Sequence, residues 1–231
     1  KELGSVELFP TRIHHNSNGR FVAITGDNEY VIYTAQALRN KSFGTALEFV
    51  WSAFGTGDYA VRESTSRVRI FKNFKEALAF RPGVTAEGIH GGTLLAVRSH
   101  DAVLFYDWDS DRIVRRIEVA AKGVFWSDSG ELVAVTTEDS FFVLRFNREA
   151  YTTALATTPA DSPEFAVMAE EGVEAAFELQ HQMDEKVRDG VWVGDCFLHT
   201  NSNNRLNYYV GGQTITLAHL DRSLYLLGYL Q

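Results

Sequence analysis

The sequence predicts an all-β fold, a partial β-propeller, because a pair of short strands recurs along it. Four times a turn rich in Gly, Asp or Asn leads into an alternating apolar strand, then a break and a second strand that ends in an aromatic residue. These aromatic residues are Tyr33, Phe71, Tyr106 and Phe146, and the intervals between them are 38, 35 and 40 residues. A recurrence of about 40 residues made of short strands is the period of a propeller blade.

The blades also open alike. Residues 13–23 and 124–134 each end one strand, reverse at a polar turn and enter a buried strand, and Gly19 and Gly130 stand where the turn favours positive φ. Residues 50–61 and 89–95 repeat the design with a longer and a shorter turn, and a fifth copy spans 191–210. We predict a strand at 6–9 before the first copy and the opening strand of a sixth blade at 224–230. About five full blades plus fragments are present, and seven are expected in the parent chain.

The fifth copy comes late because a segment is inserted before it. Tyr209 lies 63 residues after Phe146, which leaves about 25 residues beyond the period. Helical spacing predicts one acidic amphipathic helix there, which ends before Gly190. One face of this helix would carry Val173, Ala176, Phe177, Gln180, Met183 and Val187. The helix either packs on the propeller, the reading we favour, or offers its apolar stripe to a partner. The domain prediction is a single propeller region over 1–231 with a helical insertion at about 161–190.

Composition limits the class of protein. The hydrophobic fraction of 45% is that of a folded chain, and a single cysteine permits no internal disulfide, as expected in a reducing compartment such as the cytosol. Residues 161–189 hold nine acidic side chains against two basic ones, so subtracting their −7 from the total of −8 leaves −1 for the remainder. The chain opens without Met, and five blades do not close a ring, so we expect a piece of a longer polypeptide that supplies the missing blades.

Two motifs resemble ligand loops, and turns explain both better. Asp107, Asp109, Asp111 and Glu118 take positions 1, 3, 5 and 12 of a calcium loop, but Arg112 replaces the usual glycine at position six. Residues 55–60 (GTGDYA) match a dinucleotide loop, which needs a following helix to meet the phosphate. A strand is predicted after that loop instead. We therefore interpret the first motif as a polar hairpin turn and the second as a chance match.

No other combination predicts a catalytic, cofactor or metal site, and the partner-binding residues are not identified. Cys196 has no nearby histidine arranged as a base, and the histidines lack metal-site spacing: 14, 15, 90, 100, 181, 199 and 219. The basic residues within 62–81 alternate with apolar ones and predict a solvated face, so no nucleic-acid partner is expected. Trp51, Trp126 and Trp192 recur near blade starts, which predicts core positions.

Several runs resemble one family over nearly the whole chain. The most specific is 204–212 (NRLNYYVGG), followed by 218–222 (AHLDR) and 225–229 (YLLGY), with further runs at 32–35, 37–44, 70–76, 105–108, 125–132 and 192–197. Together they resemble the second WD-type propeller of the coatomer beta-prime family, a component of the COPI vesicle coat. The chain departs from that pattern mainly at 54–58 and 151–169.

The resemblance implies a structural role and no enzyme activity. It implies a rigid scaffold in Golgi-to-ER and intra-Golgi transport, located in the cytoplasm and peripherally on Golgi membranes and COPI vesicles. The implied partners are the other coatomer subunits, the alpha subunit through a helical region outside this chain, and membranes indirectly through an Arf-type small GTPase. The alternative is a WD-type propeller scaffold of another transport or ciliary complex; a third, less favoured reading is a propeller enzyme or small-ligand binder.

Overall fold

The fold, seen in a computed structural model that describes residues 6–222 and Leu226, is almost entirely β-structure. The strands are short because polar turns interrupt the apolar runs every few residues. In chain order they are β1 (Arg12–His15), β2 (Phe21–Gly26), β3 (Glu29–Thr34), β4 (Asn40–Thr45), β5 (Glu48–Trp51), β6 (Tyr59–Ser64), β7 (Arg67–Lys72), β8 (Lys75–Phe80), β9 (Gly88–His90), β10 (Leu95–Arg98), β11 (Val103–Tyr106), β12 (Ile113–Ile117), β13 (Gly123–Trp126), β14 (Leu132–Thr136), β15 (Phe141–Phe146), β16 (Phe177–Met183), β17 (Val187–Val193), β18 (Cys196–Asn201), β19 (Arg205–Val210) and β20 (Gln213–His219).

Each set of four consecutive strands forms one sheet. The orders are β1-β2-β3-β4, β5-β6-β7-β8, β12-β11-β10-β9, β13-β14-β15-β16 and β17-β18-β19-β20. Within each sheet, strands that follow one another in sequence are hydrogen-bonded to each other. Five four-stranded meanders of this kind are the blades that the sequence predicts, and the propeller class is confirmed. The chain divides into two compact units, residues 1–99 with 105–112 and residues 100–104 with 113–231.

The recurring aromatic residues mark the third strand of every sheet. Tyr33, Phe71, Tyr106 and Phe146 lie on β3, β7, β11 and β15, and Tyr209 lies on β19. All four residues of β11 are buried, and β7 and β15 alternate buried residues with more exposed ones. This burial explains why the period was visible in the sequence.

The two turns that looked alike in the sequence have the same geometry. The amide of the residue that begins the next strand donates to the side-chain oxygen of Asn16 in one turn and of Ser127 in the other, both at 3.0 Å. The amides of Gly19 and Gly130 donate back to the carbonyls of Asn16 and Ser127, at 3.0 and 2.9 Å. Both glycines have positive φ, 68° and 73°, as predicted.

Aromatic rings fill the core of the first unit. The Tyr59 ring stacks on Phe71 with 4.5 Å between centroids and on Phe49 with 4.8 Å. Its hydroxyl lies 3.1 Å from that of Tyr30, so the buried oxygens satisfy each other. Burial raises the pKa of Tyr59 well above its ordinary value, and this phenol stays neutral.

The second unit has a matching core. Phe197 is fully buried and lies 5.2 Å from Trp192 and 5.7 Å from Phe141, measured between ring centroids. Tyr209 packs edge-on against Phe141 at 5.8 Å. Edge and offset contacts of this kind add to the free energy gained from burial alone.

The predicted helix over residues 173–187 is wrong, because most of that segment is strand. Phe177–Met183 is β16, which pairs with β15 in the register Phe141↔Met183 to Phe146↔Phe177. A register shift beside Val143 and Leu144 interrupts the alternation along β16, so Phe177 and Leu179 lie on one face and Met183 on the other. Pairing with the free edge of β15, rather than the spacing of apolar residues, makes this segment a strand.

Two helices lie upstream of that segment, where the chain was predicted to depart from its relatives. Helix α1 (Arg148–Thr157) begins after Asn147, whose side chain accepts from the Ala150 amide. Helix α2 (Pro163–Glu171) begins after Ser162, and Gly172 ends it with φ of 76°. The helical insertion is therefore centred earlier than the predicted 161–190. A 3-10 turn at Glu174–Ala176 leads into β16.

The predicted strand at 6–9 is also wrong, since β1 begins at Arg12. The Phe9 amide donates to the Asp27 carboxylate at 2.8 Å rather than to a neighbouring strand, and Pro10 follows with no amide hydrogen. Leu8 is nonetheless buried. The predicted opening strand of a sixth blade, 224–230, lies outside the described residues. Among those residues no helix is long and apolar enough to cross a membrane.

Candidate functional site

Tryptophan indoles join neighbouring sheets within each unit. The Trp51 Nε1 donates to the His14 carbonyl at 3.1 Å, and the Trp192 Nε1 donates to the Phe125 carbonyl at 2.8 Å. In both cases the indole hydrogen bond links the first strand of one sheet to the first strand of the preceding sheet. Both side chains are buried, whereas Trp126 is half-buried. The core positions predicted for Trp51 and Trp192 are confirmed.

The calcium-like motif is a turn in which Asp109 and Glu118 pair with basic side chains. Asp109 forms an ion pair with Lys72 at 2.9 Å, and Asp107 accepts from the Asp109 amide. Glu118 pairs with Arg116 at 2.6 Å. Over residues 6–222 and Leu226, no three His, Cys, Asp or Glu side chains are grouped so that they could hold a metal ion.

The dinucleotide-like motif leads into a strand, as predicted. Tyr59 begins β6 directly after the loop, so no helix N-terminus faces it. Asp58 holds the loop in place, because its carboxylate accepts from the Asn73 amide at 3.0 Å and pairs with Lys72 at 3.1 Å. The glycines serve a tight turn, and Gly55 has φ of 72°.

The basic stretch is a solvated face only in part. Arg67 is exposed and pairs with Glu63, but the side chains of Arg62 and Arg69 are only 12% and 19% exposed. The Arg62 Nε lies 2.6 Å from the Glu48 carboxylate, which also accepts from the Ile89 amide. The prediction is therefore wrong for Arg62 and Arg69, whose guanidinium groups are held within the unit by acidic side chains of other strands.

Two histidines on first strands of the first unit are kept neutral by their surroundings. Burial, reinforced by the nearby Arg12 charge, lowers the pKa of His14 to about 4. Burial, followed by the charge of Arg98, lowers the pKa of His90 to about 3. Within the described residues the Nε2 atoms of both rings are buried without a hydrogen-bond partner.

A buried polar cluster in the second unit was not anticipated from the sequence. The Glu185 carboxylate lies 2.9 Å from the His199 Nε2 and accepts from the side-chain amides of Asn201, at 2.8 Å, and Asn207. Burial alone would raise the pKa of Glu185, but these hydrogen bonds outweigh it and hold the pKa below its ordinary value. The sequence signal that could have indicated this cluster is the set of polar residues at buried positions of β18 and β19, among them His199, Asn201 and Asn207.

Cys196 has none of the features of a nucleophile. It lies half-buried at the start of β18, and burial raises the pKa of its thiol. A raised pKa lowers the thiolate fraction at neutral pH, and the thiolate is the reactive form.

The helical insertion is tied to an edge strand of its unit. The Val173 amide donates to the Val114 carbonyl of β12 at 2.8 Å, and Gly172 and Arg115 form an isolated bridge. A side chain at position 172 would meet the Val114 backbone at 2.5 Å, so glycine permits this approach. The contact covers the open edge of β12, which would otherwise be free to pair with another chain.

An apolar row on the first sheet lies open to solvent at both ends. Ile13, Ile24, Val31 and Phe43 face one another across β1 to β4, and the exposed fractions of Ile13 and Phe43 are 62% and 73%. A groove of about 640 Å³ on this sheet has Val31 and Phe43 in its wall together with the Glu29 carboxylate. Exposed apolar side chains also occur on the fifth sheet: Val210, Ile215 and Leu217. Apolar patches of this kind mark interaction surfaces.

Comparison with known proteins identifies the group that this chain resembles. The family model described as COPA/B second beta-propeller matches residues 1–231. The human protein named coatomer subunit beta' is 54% identical over 230 residues, which are all of this chain and 24% of that protein. A rice protein, coatomer subunit beta'-1, is 54% identical over 232 residues and is covered to the same 24%. The chain therefore spans about a quarter of the length of these relatives.

Solved structures support the fold independently of the sequence. A chain of the mitotic checkpoint complex superimposes with a TM-score of 0.63 over 96% of this chain and 69% of that one, at 12% identity. A protein of unknown function from Desulfotomaculum acetoxidans gives 0.61 at 13% identity, over 89% of this chain and 70% of that one. Identities this low establish a common fold and nothing about activity.

Proposed function

Because this chain belongs to the COPA/B second β-propeller family, we propose that it is a rigid propeller scaffold in the COPI vesicle coat. The observation that carries this proposal is the 54% identity with coatomer subunit beta' across the whole chain. The role would lie in Golgi-to-ER retrograde and intra-Golgi transport. It is a structural role, without a catalytic step.

The internal construction of the chain supports a scaffold. The two aromatic cores, the indole bonds between first strands and the hydrogen-bonded Glu185 cluster each fix side chains in one arrangement. Close-packed interiors of this kind transmit force with little deformation. A coat component that joins other subunits at fixed angles needs this property.

The proposed partners are the other coatomer subunits. The alpha subunit would bind through a helical region outside this chain, and an Arf-type small GTPase would bring the assembled coat to the membrane. The protein would then be cytoplasmic and located peripherally on Golgi membranes and COPI vesicles. No nucleic-acid partner and no cofactor are part of the proposal, and the formal charge of −8 disfavours binding to phosphate backbones.

The apolar row of the first sheet, which is exposed at both ends, supports the proposal that residues 1–231 belong to one propeller with further blades. In a propeller each sheet packs its face on the next, so an apolar row that includes Ile13 and Phe43 fits the surface on which another blade would rest. Those blades would come from the parent polypeptide.

Affinity purification of the full-length protein from its own cytosol, followed by mass spectrometry, tests the proposal. We expect stoichiometric recovery of the other coatomer subunits and none from other coats. Recovery of a different transport or ciliary assembly, without coatomer subunits, would overturn the coat assignment and leave the fold.

A further inference from the structure

The connection between the two helices carries the only two hydroxyl residues in the sequence that are directly followed by proline. These are Thr158, before Pro159, and Ser162, before Pro163. The two remaining prolines follow Phe9 and Arg81. Both hydroxyl residues lie within residues 151–169, where the sequence is predicted to depart from the coatomer pattern.

We propose that Ser162 is a phosphorylation site for a proline-directed serine/threonine kinase. Such kinases require an extended substrate backbone and proline after the acceptor. Ser162 has φ of −81° and ψ of 152°, and Pro163 occupies the first turn of α2. No lysine or arginine occurs from Tyr151 to Ser162, so the basic recognition elements of other kinase classes are missing from its N-terminal side.

The structure favours Ser162 over Thr158 because of what each helix buries. A kinase must straighten several residues on either side of the acceptor, so one helix end has to open. Helix α2 has no buried residue, whereas α1 is anchored by the buried Tyr151. Opening the first turn of α2 therefore exposes no core side chain. Thr158 is held to the last turn of α1 by its amide and its hydroxyl, which both donate to the Ala154 carbonyl, at 3.0 and 2.7 Å. Residues Pro159, Ala160 and Asp161, which lead to Ser162, are exposed and lie outside both helices.

The transfer itself follows the ordinary chemistry of protein kinases. The Ser162 Oγ attacks the γ-phosphorus of ATP, the bond between that phosphorus and the β–γ bridging oxygen breaks, and ADP leaves. The hydroxyl proton passes to the catalytic aspartate of the kinase. In the folded protein the Ser162 hydroxyl donates to the Pro159 carbonyl at 2.7 Å and accepts from the Phe165 amide at 3.1 Å. Transfer removes the first of these bonds, and the phosphate adds negative charge at the positive end of α2.

The modification would add negative charge to a segment that is already acidic. Residues 161–189 hold nine acidic side chains, and Asp161 and Glu164 flank the acceptor. Repulsion from these carboxylates keeps the phosphate in solvent rather than against the unit. We therefore infer that phosphorylation changes the surface of the helical insertion and leaves the sheets intact.

The test is phosphorylation of the full-length protein by a purified proline-directed kinase with radiolabelled ATP, followed by peptide mapping. The wild-type protein, S162A, P163A and the control T158A are compared, with a kinase that requires basic residues as a second control. P163A keeps the hydroxyl, and circular dichroism confirms that each variant is folded.

We expect phosphate on Ser162 in the wild type and in T158A, and loss of it in S162A and P163A. The kinase that requires basic residues should leave Ser162 unmodified. Label on Ser162 that persists in P163A, or label on the peptide that contains residue 162 that persists in S162A, would overturn the proposal, as would the absence of label on Ser162 in the folded wild-type protein. Label on Thr158 alone would assign the wrong acceptor and would equally contradict it.

Discussion

The indole Nε1 of Trp192 lies 2.8 Å from the carbonyl oxygen of Phe125, and this bond joins the first strands of the fifth and fourth sheets. Trp51 and His14 make the equivalent bond in the first unit at 3.1 Å. The repetition indicates that the contact is a regular device for holding one sheet to the next. Its loss should therefore affect the whole unit rather than one side chain.

Replacing Trp192 by phenylalanine should destabilise the second unit by about 1–3 kcal/mol, because an aromatic ring is kept while the partly buried Phe125 carbonyl loses its donor. Alanine should cost more, about 3–5 kcal/mol, since a cavity is added. Urea unfolding measures both values. Phe9, whose exposed fraction is 81%, provides the control, and F9A should stay within about 0.5 kcal/mol of the wild type. Equal effects of W192F and F9A would contradict a role for the indole bond.

Replacing Gly130 by valine should lower the free energy of unfolding by about 1–3 kcal/mol, because a β-branched residue is strained at φ of 73°. Asparagine tolerates this conformation better, so G130N should be the milder change. The same order should hold at Gly19, where φ is 68°. Thermal unfolding of the four variants checks this, and an unchanged melting temperature for G130V would refute the strain argument.

Replacing Glu185 by glutamine should destabilise the second unit by about 1–3 kcal/mol at pH 7, because the new amide group faces the amide donors of Asn201 and Asn207. The folded pKa of Glu185 is depressed, so its contribution is present above the ordinary value of 4.5 and is lost as pH falls through the folded pKa. The difference between the two proteins should therefore narrow in acid. E131Q, at an exposed ion pair with Arg145, should change little at any pH. A difference that stays constant down to acid pH would be inconsistent with this assignment.

His90 should make the first unit sensitive to mild acid. Its folded pKa of about 3 lies below the ordinary 6.5, so between these values the unfolded chain binds a proton that the folded chain does not. The free energy of unfolding should fall as pH drops through this range, with a slope of up to about 1.4 kcal/mol per pH unit from this group. H90L should reduce the slope, while H100L, at an exposed histidine, should keep it. Identical slopes in all three proteins would rule out the effect.

The third strands were predictable because their buried apolar residues leave a local pattern in the sequence. Tyr33, Phe71 and Phe146 each close an apolar run that is readable without knowledge of the partner strands. The glycine turns at Gly19 and Gly130 were equally local, since a short polar run and one residue with positive φ define them.

The helix wrongly predicted at residues 173–187 shows that local sequence patterns do not determine every element of this fold. Phe177, Leu179 and Met183 fit a strand, while Phe177, Gln180 and Met183 fit a helix, and nothing within the segment decides between the two. The decision comes from β15, which lies some 30 residues away in sequence and needs a partner along its free edge. The helices that are present do have local start signals, namely the N-cap residue Asn147 and the N-cap Ser162 followed by Pro163. A search for helical spacing of apolar residues does not detect these signals.

The Glu185 cluster could not be predicted from the sequence for a related reason. Its members come from one loop and two strands, and each residue alone is an ordinary surface type. The register of β18 with β19 brings them together, and register is a property of paired strands rather than of either sequence.

The most direct test of the account separates family from fold. Within the full-length protein, the segment described here as residues 1–231 is replaced in two ways. One variant carries the equivalent part of human coatomer subunit beta', at 54% identity, and the other carries the checkpoint-complex propeller, which shares the fold at 12% identity. Co-purification of the other coatomer subunits is then measured. We expect recovery close to the wild-type level with the human segment and a loss of recovery with the checkpoint propeller. Equal recovery with both would contradict it, because any propeller of this fold would then serve.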